Sequence, residues 1–462
     1  MRAAARVENR RPTAARRVVR TVATTTMPAL SPEQSAVLEL IESTREHVFV
    51  TGRAGTGKST LLEAFIASTD RSVVVCAPTG VAALNVGGQT IHSLFRLPIG
   101  LIADHDFDDP PELRRLLASI ETVVIDEVSM VSADLMDAID RRLRQARARR
   151  HEPFGGVQVV LFGDPYQLAP VPGRDEGERA YYADHYRSMW FFDAAVWNEA
   201  DLRIVELQTI HRQQDADFRA MLTAVRHGAV TPEIGRALNE AGARPAPTEG
   251  VLTLATTNAT VTRINMDALR RLPGEPKTAR ADVQGEFGPK GGYPADEELQ
   301  LKVGAQVMFL RNDTGGDGTP RWVNGSLGTV ERIGRTVFVE VDGVSHEVVP
   351  ATWEKYRYTY SSATKRVSKD IVAEFTQFPL RLAWAVTIHK SQGSTYDAAI
   401  VDLGPRAFAP GQTYVALSRI RSLAGLHLAR PLRPSDIIVD ENVRRFMADV
   451  EPLIGRAVAQ SV

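Results

Sequence analysis

GRAGTGKS, Gly52 to Ser59, decides how the rest of the chain is read. It fits G-x-x-x-x-G-K-[ST], a loop that cradles phosphate. Val48-Phe49-Val50 before it predicts a buried strand, and Thr60-Leu61-Leu62-Glu63-Ala64-Phe65-Ile66 after it predicts a helix. Glycine lets the backbone wrap closely, so that N–H groups point at phosphate oxygens, and the helix N-terminus adds partial positive charge. Gly52, Ala54, Gly55, Thr56 and Gly57 form the cradle, with Thr60 following in the first helical turn. Lys58 is placed to reach the β- and γ-phosphates, and the Ser59 hydroxyl to hold Mg²⁺. The loop implies a bound nucleoside triphosphate without saying what its energy drives.

Working outward, Ser31-Pro32-Glu33-Gln34 opens a helix with an N-cap serine and a proline at the first helical position. Val73–Val75, Val123–Ile125 and Val157–Phe162 are further apolar strands separated by helical segments. That alternation predicts an α/β fold with a parallel sheet, its ligands beyond the carboxyl ends of the strands. Asp126-Glu127 follows one such end: Asp126 suits Mg²⁺ through its water shell, and Glu127 suits orienting and deprotonating an attacking water. Gln167, in the loop after another, can sense the γ-phosphate without adding charge. Phe95 to Pro111 reads as a small acidic insertion, and Ser132 to Arg150 as a helix whose arginine face is solvated.

A second αβ segment begins near Leu207. Charge developing on a transferred phosphoryl group needs cations from the opposite side, and Arg212 and Arg419 are the candidates. From Ala305 to Val349 short alternating strands with turns at Asn324-Gly325, Gly334-Arg335 and Asp342-Gly343 predict an inserted β-barrel. Two polar runs carry small donors suited to a phosphate backbone: Pro78, Thr79 and Gly80 with Thr90, His92, Ser93 and Phe95, and Thr387 to Thr395 with His389 and Lys390. His92 or Phe95 could stack on a base. Thr352 to Lys369 interleaves aromatic and basic residues, which suits either a single strand or an exposed barrel strand.

Bulk properties limit the alternatives. The 462 residues carry 55 Lys and Arg against 56 Asp and Glu, so nucleic-acid contact must come from a local channel. Cys76 is the only cysteine, which rules out an intrachain disulfide and a cysteine-based zinc site. No apolar run is long enough to span a bilayer, and a cytoplasmic protein without membrane partners is expected. The first 26 residues hold seven arginines against Glu8 alone. They read as a solvated tail, a basic nucleic-acid arm or a targeting peptide.

Together these stretches resemble the petite-integration-frequency (PIF) DNA helicases, beside the RecD-like helicases in the 5′-to-3′ branch of superfamily one. GRAGTGKS is similar to motif I, Ala77 to Phe95 to motif Ia, Ile125 to Met130 to motif II, and Asp134 to Val171 to the PIF signature with motif III. Arg212, His389 to Thr395 and Tyr414 to Arg419 are similar to motifs IV, V and VI, and Asn324 to Val330 to the start of an SH3-like insertion. Tyr166 and Ala169 point to a bacterial-type member. The resemblance implies two RecA-like P-loop domains, at 28–205 and at 206–310 with 376–450. It implies a short insertion at about 95–118, an SH3-like one at 311–375, and tails at 1–27 and 451–462. Gln34 would read adenine, while Gln392 and Gly393 would touch nucleotide. The DNA contacts would be Pro78, Thr79, Gly80, Thr90, His92, Ser93, Phe95, Thr387, His389 and Lys390. The implied activity is ATP-driven 5′-to-3′ translocation and unwinding in genome maintenance, including repair, recombination and telomere upkeep. Single-stranded DNA, single–double-strand junctions and structured DNA such as G-quadruplexes are the expected partners of a monomeric, nucleoid-associated enzyme.

Overall fold

The computed structural model describes residues 29–459, apart from 99, 103–109, 172–175, 214, 248–249, 288–292, 314–320 and 362–365. The Arg-rich leader, the acidic centre of the expected insertion and the last three residues lie outside that set. The apolar runs become a six-stranded parallel sheet: β1 Val48–Gly52, β2 Val73–Ala77, β3 Gln89–Thr90, β4 Thr122–Ile125, β5 Gln158–Phe162 and β6 Arg203–Leu207. Their order is β3-β2-β4-β5-β1-β6. All residues of β1, β4 and β5 are buried, as strands covered on both faces require. Because β4, β5 and β1 are neighbours, the loops after Ile125, Phe162 and Gly52 emerge side by side at one edge.

A second parallel sheet contains β7 Leu252–Ala255. The chain then leaves it for an antiparallel unit: β8 Lys277–Arg280, β9 Asp282–Gly285, β10 Glu298–Leu301, β11 Gln306–Phe309, β12 Leu327–Ile333, β13 Val337–Val341, β14 Val344–Val348, β15 Ala351–Ser361, β16 Arg366–Gln377 and β17 Leu380–Leu382. It returns with β18 Ala385–Thr387, β19 Ala399–Asp402 and β20 Leu426–Leu428, giving the order β18-β7-β19-β20. The inserted unit has its own core around Phe309, Trp322, Val330, Val339 and Leu380. Asp342 and Gly343 join β13 to β14 with φ of 50° and 79°, as a tight hairpin demands.

Several expected boundaries move. The five-stranded sheet β14-β13-β12-β11-β17 draws in residues 306–309 and 380–382, so the inserted unit is wider than 311–375. β6 pairs with β1 and carries the first domain to Leu207. Helix Pro111–Ser119 is not part of a separate insertion, because Leu113, Leu116 and Leu117 are buried in the main core. The last helix, Glu441–Ala459, packs on the first domain through Phe446, while its Arg444 lies against Gly228 of the second. Its Phe446 stacks on Phe192 at 4.1 Å and meets Trp197 edge-on at 5.5 Å. Just before it, Asp440 accepts from Trp190 Nε1 at 3.0 Å.

The arginine-bearing helix Ala133–Arg147 is built into the domain. Arg147 donates to the carbonyls of Gly155, Ala118 and Ile120, and Arg144 pairs with Asp140 and Glu199. Along the same face Asp137 accepts from Ala195 N and Val196 N, both at 3.0 Å, and Asp140 from Phe154 N at 2.6 Å. The expected solvated arginine face is therefore in part a set of staples: Arg147 reaches backbone carbonyls and Arg144 reaches carboxylates, while Arg149 and Arg150 stay exposed.

The aromatic–basic stretch forms the hairpin β15–β16, which crosses to the first domain. Tyr358 is 8% exposed, and its hydroxyl accepts from Val75 N at 3.2 Å. Lys369 donates to Gly87 O and sits 3.8 Å above the Tyr356 ring. In this conformation the stretch is a contact between domains. Removing the acceptor with Tyr358→Phe is expected to destabilise the fold by about 1 kcal/mol, read from urea unfolding.

Candidate nucleotide site between the two sheets

A cavity of 920 Å³ opens where the two sheets face each other. Ala54 to Thr60, Glu127 and Gln167 line one wall; Arg212, Gly393, Thr395 and Arg419 line the other. Two glycines of the loop also admit their neighbours. Gly55 has φ +84°, and a Cβ there would lie 2.5 Å from Arg212 Cβ. At Gly57, φ +79°, it would strike the Gln34 amide. His211 N donates to Gly55 O at 2.8 Å, which fastens the arginine segment to the loop.

Gln34 is fully used in this conformation. Its Oε1 accepts from Ser31 N at 2.9 Å, closing the helix cap, and its Nε2 donates to Gly57 O at 3.0 Å. It holds the phosphate loop and does not line the cavity. Lys58 Nζ donates to Gly52 O at 2.6 Å and Arg53 O at 3.1 Å. Burial pushes its ammonium below the ordinary lysine range, against the pull of Asp164 and Glu127. Burial first, and Arg419 second, lower Arg212; burial likewise lowers Arg419, with Glu127 opposing. Cations crowded in this way favour a polyanion.

The acids are raised. Burial and the neighbouring Glu127 push Asp126 up; burial raises Glu127, while Lys58 and Arg419 draw it back. Glu127 also adopts φ 51°, ψ 44°, a left-handed conformation uncommon outside glycine. A non-glycine residue held in that conformation marks a candidate functional position. Among the described residues no three His, Cys, Asp or Glu converge to hold a metal by themselves. Ser59 and Asp126 are hard oxygen donors that suit Mg²⁺ when phosphate oxygens complete the shell.

The proteins this chain resembles agree with this geometry. The family profile described as PIF1-like helicase matches residues 29–235. An ATP-dependent DNA helicase Pif1 of Bdellovibrio bacteriovorus is 35% identical over 92% of this chain and 93% of its own. The chain belongs to the PIF1-like helicase family. The mouse relative is also 35% identical, but this chain spans 63% of its length. Crystal structures of Bacteroides Pif1 superpose well: the ADP-AlF4 complex has TM-score 0.84 and 37% identity, covering 92% of this chain and 97% of that one. The complex with ADP-AlF3 and single-stranded DNA has TM-score 0.66 and 36% identity, covering 92% and 98%.

The donors this PIF1-like helicase would offer to DNA sit at helix starts. The Thr79, Thr90 and Thr387 hydroxyls accept from Ala82 N, Ser93 N and Lys390 N, which leaves each O–H free to donate. Ser93 and Lys390 are exposed, and Pro78, Gly80, His92 and His389 are half-buried. Phe95 is 0% exposed, inside the first domain's core. Its apolar ring packs beneath the motif, so the expectation that it stacks on a base is corrected. Gly393 lines the nucleotide cavity. Gln392 does not, and its buried Nε2 has no partner among the described residues.

One group of residues in this helicase carries no sequence signal of its role. Asp164, after β5, pairs with Arg226 at 2.9 Å, and both side chains are at most 2% exposed. The Tyr414 hydroxyl donates to Asp164 at 3.3 Å and accepts from Ala54 N at 3.0 Å. Arg226 also lies over the Tyr166 ring at 4.3 Å. The network ties the loop after β5, the phosphate loop and the helix leading to Arg419 into one unit.

Proposed function

We propose that the chain is an ATP-dependent DNA helicase that moves 5′-to-3′ along single-stranded DNA and separates duplex ahead of it. One observation carries the reading: Arg212 and Arg419, from the second half of the chain, reach the cavity whose other wall is the phosphate loop. The two halves must close to complete the site, so turnover is tied to their relative motion. Lys58 binds the β- and γ-phosphates. Glu127 takes the proton from the attacking water, and Arg212 and Arg419 meet the charge that develops on the transferred group. Ser59 and Asp126 would hold Mg²⁺, which would neutralise charge on the phosphates. Gln167 senses the γ-phosphate, Gln34 reads adenine once released from Gly57, and Gln392 and Gly393 follow the nucleotide from the second domain.

Thr79, Thr90, His92, Ser93, Thr387, His389 and Lys390 grip the DNA strand across both domains. A crystal structure of Bacteroides Pif1 bound to single-stranded DNA, and a structure of Pif1 helicases concerned with unwinding at forked duplex DNA, support those two substrate classes here. Genome maintenance, including work on structured DNA, is the corresponding cellular role. No helix among the described residues is long and apolar enough to cross a membrane.

The deciding experiment is unwinding of tailed duplexes together with ATPase assays. Single-stranded DNA should strongly stimulate ATP turnover, and a 5′-tailed duplex should open where a 3′-tailed one does not. DNA-independent turnover would remove the motor reading; opening of the 3′-tailed substrate alone would reverse the polarity. Lys58→Ala is expected to abolish hydrolysis while the protein stays folded, its melting temperature lowered at most by the loss of the bonds to Gly52 O and Arg53 O. Arg419→Ala should lower kcat by about 10³-fold or more with little change in ATP affinity. Equal losses in kcat and affinity would remove its transition-state role.

A further inference from the structure

We infer that Gln213 is the positioning residue for Arg419. Its side chain is 2% exposed and lies immediately after Arg212. Gln213 Nε2 donates to Ser418 O at 3.0 Å and to Ile420 O at 3.2 Å. These are the two carbonyls that flank Arg419. The carbonyl between them, that of Arg419 itself, accepts from Tyr396 N at 2.8 Å. Arg419 caps the helix Gln412–Ser418, where carbonyls lose their intrahelical partners.

A side-chain amide fits this place chemically. It carries two N–H donors on one nitrogen, one for each carbonyl, and no charge. A lysine or arginine would also satisfy helix-end carbonyls, but Arg212 and Arg419 already depress one another, and a third cation would add to that repulsion. The guanidinium of Arg419 is aimed by the same turn: its Nε donates to Val415 O at 3.1 Å and its Nη2 to Ser418 Oγ at 2.9 Å. Holding the backbone on both sides of Arg419 therefore fixes where that guanidinium points. Arg212 Nη1 reaches the same Ser418 carbonyl at 3.2 Å. The segment His211-Arg212-Gln213 thus supplies one arginine to the cleft and holds the other in place.

The inference rests on the reading that Arg419 acts on the charge developing at the transferred phosphoryl group. Gln213→Met keeps the volume and removes both donors. It is expected to lower kcat of DNA-stimulated ATP hydrolysis by about 10- to 100-fold, with KM for ATP and affinity for ADP within about twofold of the parent. Affinity for ADP with aluminium fluoride, which mimics the transferring phosphoryl group, should fall in step with kcat. In an Arg419→Ala background the same substitution should change kcat less than about twofold, because its effect passes through Arg419. An unchanged kcat, an equal loss of ADP and ADP–aluminium fluoride binding, or a full additional loss in the Arg419→Ala background would overturn the assignment. An Arg419→Ala protein with normal kcat would instead remove the reading beneath it. Should Gln213→Met not fold, Gln213→Asn keeps the donors one methylene short of spanning both carbonyls, and the same outcomes decide.

Discussion

Glu127→Gln is expected to bind ATP and to lose hydrolysis by about 10²- to 10⁴-fold. The substitution keeps shape and hydrogen-bonding reach and removes only the ability to take a proton. Glu127 lines the nucleotide cavity from a left-handed backbone. An isosteric amide leaves that backbone undisturbed, so nucleotide affinity should hold or rise as one negative charge leaves the phosphate site. Equilibrium binding of a fluorescent ATP analogue, beside single-turnover hydrolysis, separates the two effects. Turnover at the parent rate would exclude Glu127 as the base.

The largest loss of stability is expected at Asp164→Ala. Arg226 would keep its charge in a site where its side chain is 2% exposed. Breaking a buried pair by removing one member costs about 3–5 kcal/mol, and here the remaining charge would keep only the more distant Glu206, at 3.8 Å. Urea unfolding of Asp164→Ala should show that loss, while replacing both members with apolar residues should recover much of it. A loss below about 1 kcal/mol would mean that water or Glu206 takes over the charge. The pair also sets a pH limit. Burial raises the Asp164 carboxyl, but Arg226 and Lys58 outweigh it and hold the group below its ordinary value. A depressed carboxyl contributes stability above its unfolded pKa, about 3.9, and loses that contribution as pH falls through the lower folded value.

The nucleotide wall facing these predictions was legible from residue order. Gly52 to Ser59, Asp126-Glu127 and Gln167 each follow a recognisable apolar strand, and strand ends are where such sheets bind ligands. The second wall was legible only in part. Arg212 and Arg419 could be named because the chemistry asks for cations, but Gln213 looked like any polar loop residue. Asp164 meets Arg226 across 62 residues and Tyr414 across 250, and no local pattern encodes such distances. The arginines of helix Ala133–Arg147 were misread for a related reason: periodicity separates charged from apolar faces, but does not show which carbonyls wait opposite. Phe95 erred the other way, since an aromatic residue beside small donors reads as a stacking platform until its burial is known.

The return of helix Glu441–Ala459 to the first domain gives the chain a second crossing between the two halves of the cleft. The second sheet is joined to the first domain by the segment after β6 and again by the segment that ends at Asp440. A body attached at one point swivels about any axis; attached at two, it turns mainly about the line between them. The chain thus converts what would be a loose tether into something closer to a door on two hinges. If ATP binding and release drive that turn, successive cycles retrace one arc, and a repeatable arc lets small displacements add up along a strand instead of averaging to zero.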